Sequence, residues 1–250
     1  MFASLRLALT TLDNYYTGVL RSPAPDPALP PPGFFPYPTS FEVRPDEPDT
    51  RPKQIKFKYI DALRADPTNV TFLAEAKSPD RKLVIKFVDR YGAEAHRLLA
   101  GSRMAPKLLY CGSLNGKNDV AADDSPPQHH TNTGGLYLGP MRMVVMEHID
   151  GKTAKSSPPE DAREQVEQVL KKLHDKDLVF GDLREPNVMF SGGKAFFIDF
   201  DWAGKVGEAH YPRNLSRGVV WPGKAGDLEM TPILKDHDLF MLNKLFPARG

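Results

Sequence analysis

Apolar and polar positions alternate most clearly in "QIKFKYIDAL" (54–63). "VTFLAEA" (70–76) and the more continuously apolar "KLVIKFV" (82–88) are strand-like as well. Between them stand "RADPTN" and "KSPDR", which are turn chemistry, so the pattern predicts an antiparallel meander. The period changes at "YGAEAHRLLAGS" (91–102), which reads as a short helix. It reverts to strand at "KLLYCGSL" (107–114) and again at "MRMVVMEHI" (141–149), which ends at the turn signal Asp150–Gly151.

A longer helix is predicted from "SSPPEDAREQVEQVLKKLHDKD". Ser157 and Glu160 have capping-box spacing and Pro158 fits a first helical position. Val166, Val169, Leu170 and Leu173 form an i, i+3, i+4, i+7 face. At the other end, Leu5, Leu9, Leu12, Tyr16 and Val19 mark one stripe of an amphipathic helix over 1–20. Residues 21–53 read as a Pro-rich extended linker, with Phe34, Phe35 and Tyr37 placed to pin it to the body. Residues 115–135 are polar and of low complexity, a loop in which His129–His130 have no spaced ligand partners. The order is therefore a strand-rich part over 54–149 followed by a mainly helical part over 150–250, an α+β chain.

Composition narrows the function classes. The chain has 250 residues, 40% of them hydrophobic and 26% charged, as in ordinary globular proteins. Its 33 basic and 32 acidic residues nearly cancel, so net charge makes no case for a nucleic-acid partner. The single cysteine, Cys111, excludes an internal disulfide and suits a reducing compartment. No run approaches the roughly 18 apolar residues of a membrane span. "MFASLRLALTTLDNYYTGVL" lacks a signal-peptide core, so a cytoplasmic protein without membrane attachment is expected, with a mitochondrial leader, disfavoured by sparse basic charge, as the alternative.

The chemistry-bearing residues gather late in the chain. In "LVFGDLREPNVMF" (178–190) Asp182 and Asn187 share one loop ahead of a strand, and in "FFIDFDWAG" (196–204) Asp199 ends the next strand. The tight turn "SGGK" would fold these two strands into a hairpin and bring Asn187 and Asp199 to one end. Two acids and an amide make an oxygen-rich set suited to Mg²⁺ held jointly with phosphates. Lys86 lies in the apolar run Val84–Val88, where an ammonium needs a counter-charge. Glu94 is one candidate partner, another acid such as Glu75 a second, and a phosphate a third.

These residues resemble the protein-kinase-like superfamily over roughly 54–242. "VIKF" is similar to its lysine strand, "YGAEAH" to the helix with the pairing glutamate, "FGDLREPN" to the catalytic loop and "IDFD" to the metal motif. The resemblance implies a two-lobed fold, with an antiparallel-sheet N-lobe (54–149) and a reduced, mainly helical C-lobe (150–250). It implies ATP and Mg²⁺ as cofactors. Asp182 would be the catalytic base, Arg184 the contact to the transferred phosphoryl, and Asn187, Asp199 and Asp201 the metal ligands. Lys86 and Glu94 would position the phosphates. Backbone groups around Val144, Val145, Glu147 and His148 would meet the adenine, and Asp238 in "DHDLFML" would brace the catalytic loop.

The chain also departs from that pattern. Phe180-Gly181-Asp182 replaces His-Arg-Asp: Gly181 is the form of aminoglycoside and choline kinases and small atypical protein kinases, and Phe180 removes a loop-bracing His. Asp201 replaces a glycine, as in the small-molecule branches. No Gly-x-Gly-x-x-Gly precedes Lys86, so phosphate cover would fall to "ADPTN", and only about fifty residues follow Asp199. The expected activity is transfer of the ATP γ-phosphoryl to a hydroxyl, of a protein Ser/Thr first. A small-molecule alcohol and an inactive binding module are the alternatives.

Overall fold

The computed structural model describes residues 9–11, 13, 36, 38–43, 53–63, 70–114, 141–156 and 158–247. The chain divides into two compact units, Met1–Pro36 and Tyr37–Gly250. In the first, residues 9–11 and 13 are helical. The remaining stripe positions of the N-terminal helix, together with Phe34, Phe35, Tyr37, "ADPTN", His129–His130 and Ser157, lie outside the described residues.

The second unit is α+β, with a dominant antiparallel sheet and few helices. Strands β1 (Ser40–Val43), β2 (Lys53–Ala62), β3 (Thr71–Lys77), β4 (Asp80–Val88), β5 (Leu108–Gly112) and β6 (Arg142–Glu147) form one six-stranded sheet. Their order is β1-β2-β3-β4-β6-β5, every neighbouring pair antiparallel. The meander β2-β3-β4 is as the alternation predicts. Strand β1 is a departure: "SFEV" lies inside the segment 21–53 expected as a Pro-rich linker, yet it pairs with β2, Phe41 opposite Ile55. This short segment carries no proline and keeps its own alternation, which is enough for an edge strand.

Alternation sorts the sheet into two faces. Phe41, Ile55, Phe57, Tyr59, Phe72, Leu83, Ile85, Phe87, Met143 and Val145 are buried in one cluster. Val88, Val144, Met146 and Cys111 turn to the other face and join a second cluster with the helices, with Val84 packed against it. Strand β4 is thus apolar on both faces, the pattern of a central strand, and Lys86 lies on the second face.

Helix α1 (Ala93–Ala100) links β4 to β5, and after β6 come β7 (Lys152–Thr153) and helix α2 (Ala162–His174). Helix α2 buries Val166, Val169, Leu170 and Leu173, the predicted stripe, so a Leu→Ala change there costs about 2–5 kcal/mol. It begins at Ala162 with Asp161 as N-cap, later than the capping-box reading from Ser157. Pro158 stands before Pro159, and a residue preceding proline is driven out of the helical region, which delays the start. Strands β8 (Leu178–Val179), β9 (Val188–Ser191), β10 (Lys194–Phe197) and β11 (Gly204–Lys205) follow, then helices α3 (Ala225–Leu228) and α4 (Lys235–Leu245). Strand β9 pairs with β10 and β7, and β8 with β11. Helix α2 packs against α1, α4, β8 and β10. Among the described residues, no helix is long and apolar enough to cross a membrane.

Candidate functional site

The β9–β10 hairpin is closed by Gly192 and Gly193 at φ 56° and 76°, the left-handed pair that a two-residue turn of this twist requires. Its register sets Phe197 opposite Val188. Just beyond, the Ile198 N–H donates to the Asn187 carbonyl at 3.0 Å. Asp199 is the next residue, at φ 69°, a left-handed conformation uncommon outside glycine and concentrated at functional sites.

The Asp182 loop is held from three sides. Asn187 donates from Nδ2 to the Asp182 carbonyl at 2.9 Å and to its Oδ2 at 2.8 Å. Arg184 forms a two-point ion pair with the same carboxylate, Nε to Oδ1 and an Nη to Oδ2 at 2.6 Å. Below the loop, the buried Asp238 of α4 accepts the N–H groups of Phe180 at 2.9 Å and Gly181 at 2.8 Å, and meets His174 Nε2 at 3.0 Å. Gly181 itself has φ +81°, and a Cβ there would lie 2.8 Å from Ile233 Cδ1 and 3.1 Å from the Trp202 carbonyl oxygen. A glycine is required at that position on both counts. Burial pushes the Asp182 carboxyl above the ordinary carboxylate range, against the opposing pull of Arg184 and Asn187.

Lys86 reaches the end of the second hairpin strand. Its Nζ lies 2.6 Å from Asp199 Oδ1 and 2.7 Å from Asp201 Oδ2. Burial favours the neutral amine, but the charges and hydrogen bonds of Asp199 and Asp201 outweigh it and raise the Lys86 pKa. Burial and the adjacent Asp199 charge push Asp201 upward, with Lys86 opposing. What brings β4 to this segment is the start of α1. The Gly92 N–H donates to the Phe200 carbonyl at 2.8 Å, and a Cβ on Gly92 would lie 2.3 Å from the Ala203 carbonyl oxygen. The His96 ring then stacks on Phe200, with centroids 4.4 Å apart and planes 4° from parallel.

The structure therefore brings Asp182, Arg184 and Asn187 into one cluster and Lys86, Asp199 and Asp201 into another. Three expected residues stand elsewhere. Glu94 is exposed: the buried face of α1 carries Ala93, His96 and Leu99, and Glu94 points away from it. The Lys86–Glu94 pair is replaced by pairing to Asp199 and Asp201. Glu75, the other acid considered, sits opposite Lys82 in the sheet, whereas Lys86 sits opposite Thr71. Glu147 is ion-paired to Arg81 at 3.1 Å and its N–H donates to the Lys107 carbonyl, while the His148 N–H donates to the Lys82 carbonyl. Of the backbone groups expected to meet an adenine, the Glu147 and His148 N–H groups are thus taken by the Lys107 and Lys82 carbonyls. His174 and His96 carry no motif in the sequence. The signal for His96 was its helical spacing from Ala93 and Leu99; for His174, contact with Asp238 across 64 residues left no local trace.

The donor chemistry fits a hard cation. Asp201 Oδ1 is buried and has no hydrogen-bond partner among the described residues. Asn187 spends its amide nitrogen on Asp182, which leaves the amide oxygen free as a cation ligand. Among the described residues no three His, Cys, Asp or Glu side chains form a metal-holding group. Mg²⁺ bound through one or two carboxylates together with phosphates needs no such trio.

Comparison with known proteins gives partial relatives. The chain is 33% identical over 182 residues to a probable bifunctional tRNA threonylcarbamoyladenosine biosynthesis protein of Methanosarcina barkeri, which covers 63% of the chain and 32% of that protein. A protein of the same name from Methanospirillum hungatei is 38% identical over 61 residues, 24% of the chain and 12% of the relative. A probable serine/threonine-protein kinase BUD32 homolog of Archaeoglobus fulgidus is 32% identical over 60 residues, 24% of the chain and 31% of the relative. The chain thus spans about a third or less of the length of these curated relatives. No protein-family model matches it.

Proposed function

We propose that the protein is a two-lobed, kinase-like phosphotransferase that moves the γ-phosphoryl of ATP to a hydroxyl, with a protein Ser/Thr as the first-choice acceptor. The observation that carries this reading is the contact of Lys86 Nζ with Asp199 at 2.6 Å, beside a loop in which Asn187 holds Asp182. A buried lysine, two acids and an amide converging in this way form the minimum set for gripping a nucleotide triphosphate. Similarity to proteins named as a kinase homologue and as bifunctional tRNA-modification proteins supports an atypical protein-kinase-like domain.

Each side chain has a role that its surroundings permit. Lys86 stays charged between Asp199 and Asp201 and is available to phosphate oxygens. Asn187, Asp199 and Asp201 would hold Mg²⁺, and that ion supplies charge neutralisation on the phosphate oxygens. Asp182, held in place by Asn187, orients the acceptor hydroxyl and receives its proton. Arg184 opposes negative charge on the phosphoryl in transit. With the Glu147 and His148 amides committed to strands, purine contacts would fall to the chain that follows them.

A small-molecule acceptor is the second reading, favoured by Asp201, which stands where protein kinases carry glycine and shares Lys86 at 2.7 Å. Incubation with γ-labelled ATP and Mg²⁺, first with a protein mixture and then with a small-molecule extract, separates the two. Label in protein supports the leading reading. Label confined to small molecules replaces it with the second, and a folded protein that transfers none and shows no thermal shift with Mg-ATP is an inactive module.

A further inference from the structure

The chain has two tryptophans, and both meet Arg184. The guanidinium carbon lies 5.8 Å from the Trp202 ring and 5.7 Å from the Trp221 ring. The two rings are 5.7 Å apart and tilted by 38°, a shallow V. Neither ring floats. Trp221 is buried and donates its indole N–H to the Ser216 carbonyl at 2.8 Å, and the fully buried Tyr211 packs against both rings. Tyr211 in turn stacks on His237 of α4, the helix that carries Asp238. Arg184 spends Nε and one Nη on Asp182, and among the described residues its other Nη takes no partner.

An arginine side chain is long and loses much rotamer freedom when fixed, so an ion pair alone holds it poorly at a partly exposed site. Aromatic faces restrain the guanidinium plane through cation–π attraction and leave its N–H edges free. We propose that Trp202 and Trp221 are positioning residues, a two-indole clamp that fixes Arg184 against Asp182 with its unused N–H edge presented to the phosphoryl group. This rests on the phosphotransfer reading. The clamp joins the residue after the metal motif to a segment 19 positions downstream, and so ties the fold of residues 202–221 to the loop that carries the base.

Because the two tryptophans are the only ones, acrylamide quenching of intrinsic fluorescence reports on the clamp directly. The experiment uses the full chain. It measures quenching for wild type, Arg184→Ala and Arg184→Lys, and phosphotransfer kinetics for Trp202→Leu, Trp221→Leu and Trp221→Phe, alone and combined with Arg184→Ala. Arg184→Ala raises quenching, and Arg184→Lys, a point charge without the planar fork, does not restore it. Each Trp→Leu change lowers kcat roughly ten- to a hundredfold with little change in the KM for ATP. Trp221→Phe recovers most of that loss, and in the Arg184→Ala background the Leu changes cost nothing further. Unchanged quenching in Arg184→Ala overturns the clamp, as do Leu losses that persist in full without Arg184, since they would then come from packing alone. If wild type turns over no ATP, the phosphotransfer reading falls and the quenching comparison alone decides the clamp.

Discussion

Asn187 closes the loop that carries Asp182 by donating to both its backbone carbonyl and its carboxylate, at 2.9 and 2.8 Å. Both residues are buried, so one side chain ties the loop together and shares with Arg184 the local solvation of a buried acid. Asn187→Ala is expected to lower stability by about 1–3 kcal/mol, the cost of leaving a buried acceptor without its donor. Urea unfolding measures this, and a loss well under 1 kcal/mol would show Arg184 and Asp238 to hold the loop without Asn187.

Asp238 is the second support, and it acts from outside the loop. Its carboxylate takes the N–H groups of Phe180 and Gly181 and meets His174. Asp238→Asn turns one acceptor oxygen into a donor facing another donor. It should cost about 3 kcal/mol or more and lower turnover with it. His174→Ala removes one contact of three and should cost less, about 1 kcal/mol. Equal costs for the two changes would contradict this ranking.

Gly181 carries two separate constraints. Gly181→Ala incurs left-handed strain of about 1–2 kcal/mol, plus a clash with the flexible end of Ile233. Adding Ile233→Val should relieve the clash and leave the strain. Thermal unfolding of the single and double variants distinguishes the terms, and full recovery in the double variant would show that φ contributes nothing.

His96 predicts acid sensitivity. Its Nε2 faces the Pro106 carbonyl at 2.8 Å, which can only accept, so Nε2 carries the proton and Nδ1 accepts from the Tyr91 hydroxyl at 2.7 Å. Burial lowers its pKa from 6.5 to about 4. The unfolded chain therefore binds the proton first. Stability is full above about pH 6.5 and falls as pH drops towards 4, by about 3 kcal/mol in total at about 1.4 kcal/mol per pH unit. Urea titrations at pH 7.5 and 4.5 measure the fall. His96→Phe should remove this component, and an unchanged acid slope in that variant would assign the sensitivity to other groups.

The strands and the α2 stripe were legible because alternation and helical spacing are local. β1 was hidden inside a segment dominated by prolines it does not contain. The clustering of Asp182 with Asn187, and the hairpin that returns Asp199 to the same end, could be read from the Gly192–Gly193 turn and two short apolar runs. Lys86 was legible as a buried cation, but its partners were not. Glu94 has the right distance in sequence and the wrong face of its helix, whose buried face carries Ala93, His96 stacked on Phe200, and Leu99. The tryptophans around Arg184 depend on contacts 18 and 37 residues away along the chain, beyond any local pattern.

Phosphoryl transfer from ATP by these side chains is read out by Mg²⁺-dependent release or transfer of the γ-phosphoryl. Wild type, Asp182→Ala and Asp199→Asn would be compared at matched folded fraction. Wild-type turnover is expected to vanish with chelator and to fall at least about a hundredfold in both variants. Turnover that survives Asp182→Ala and Asp199→Asn unchanged, or its complete absence from folded wild-type protein, would contradict it.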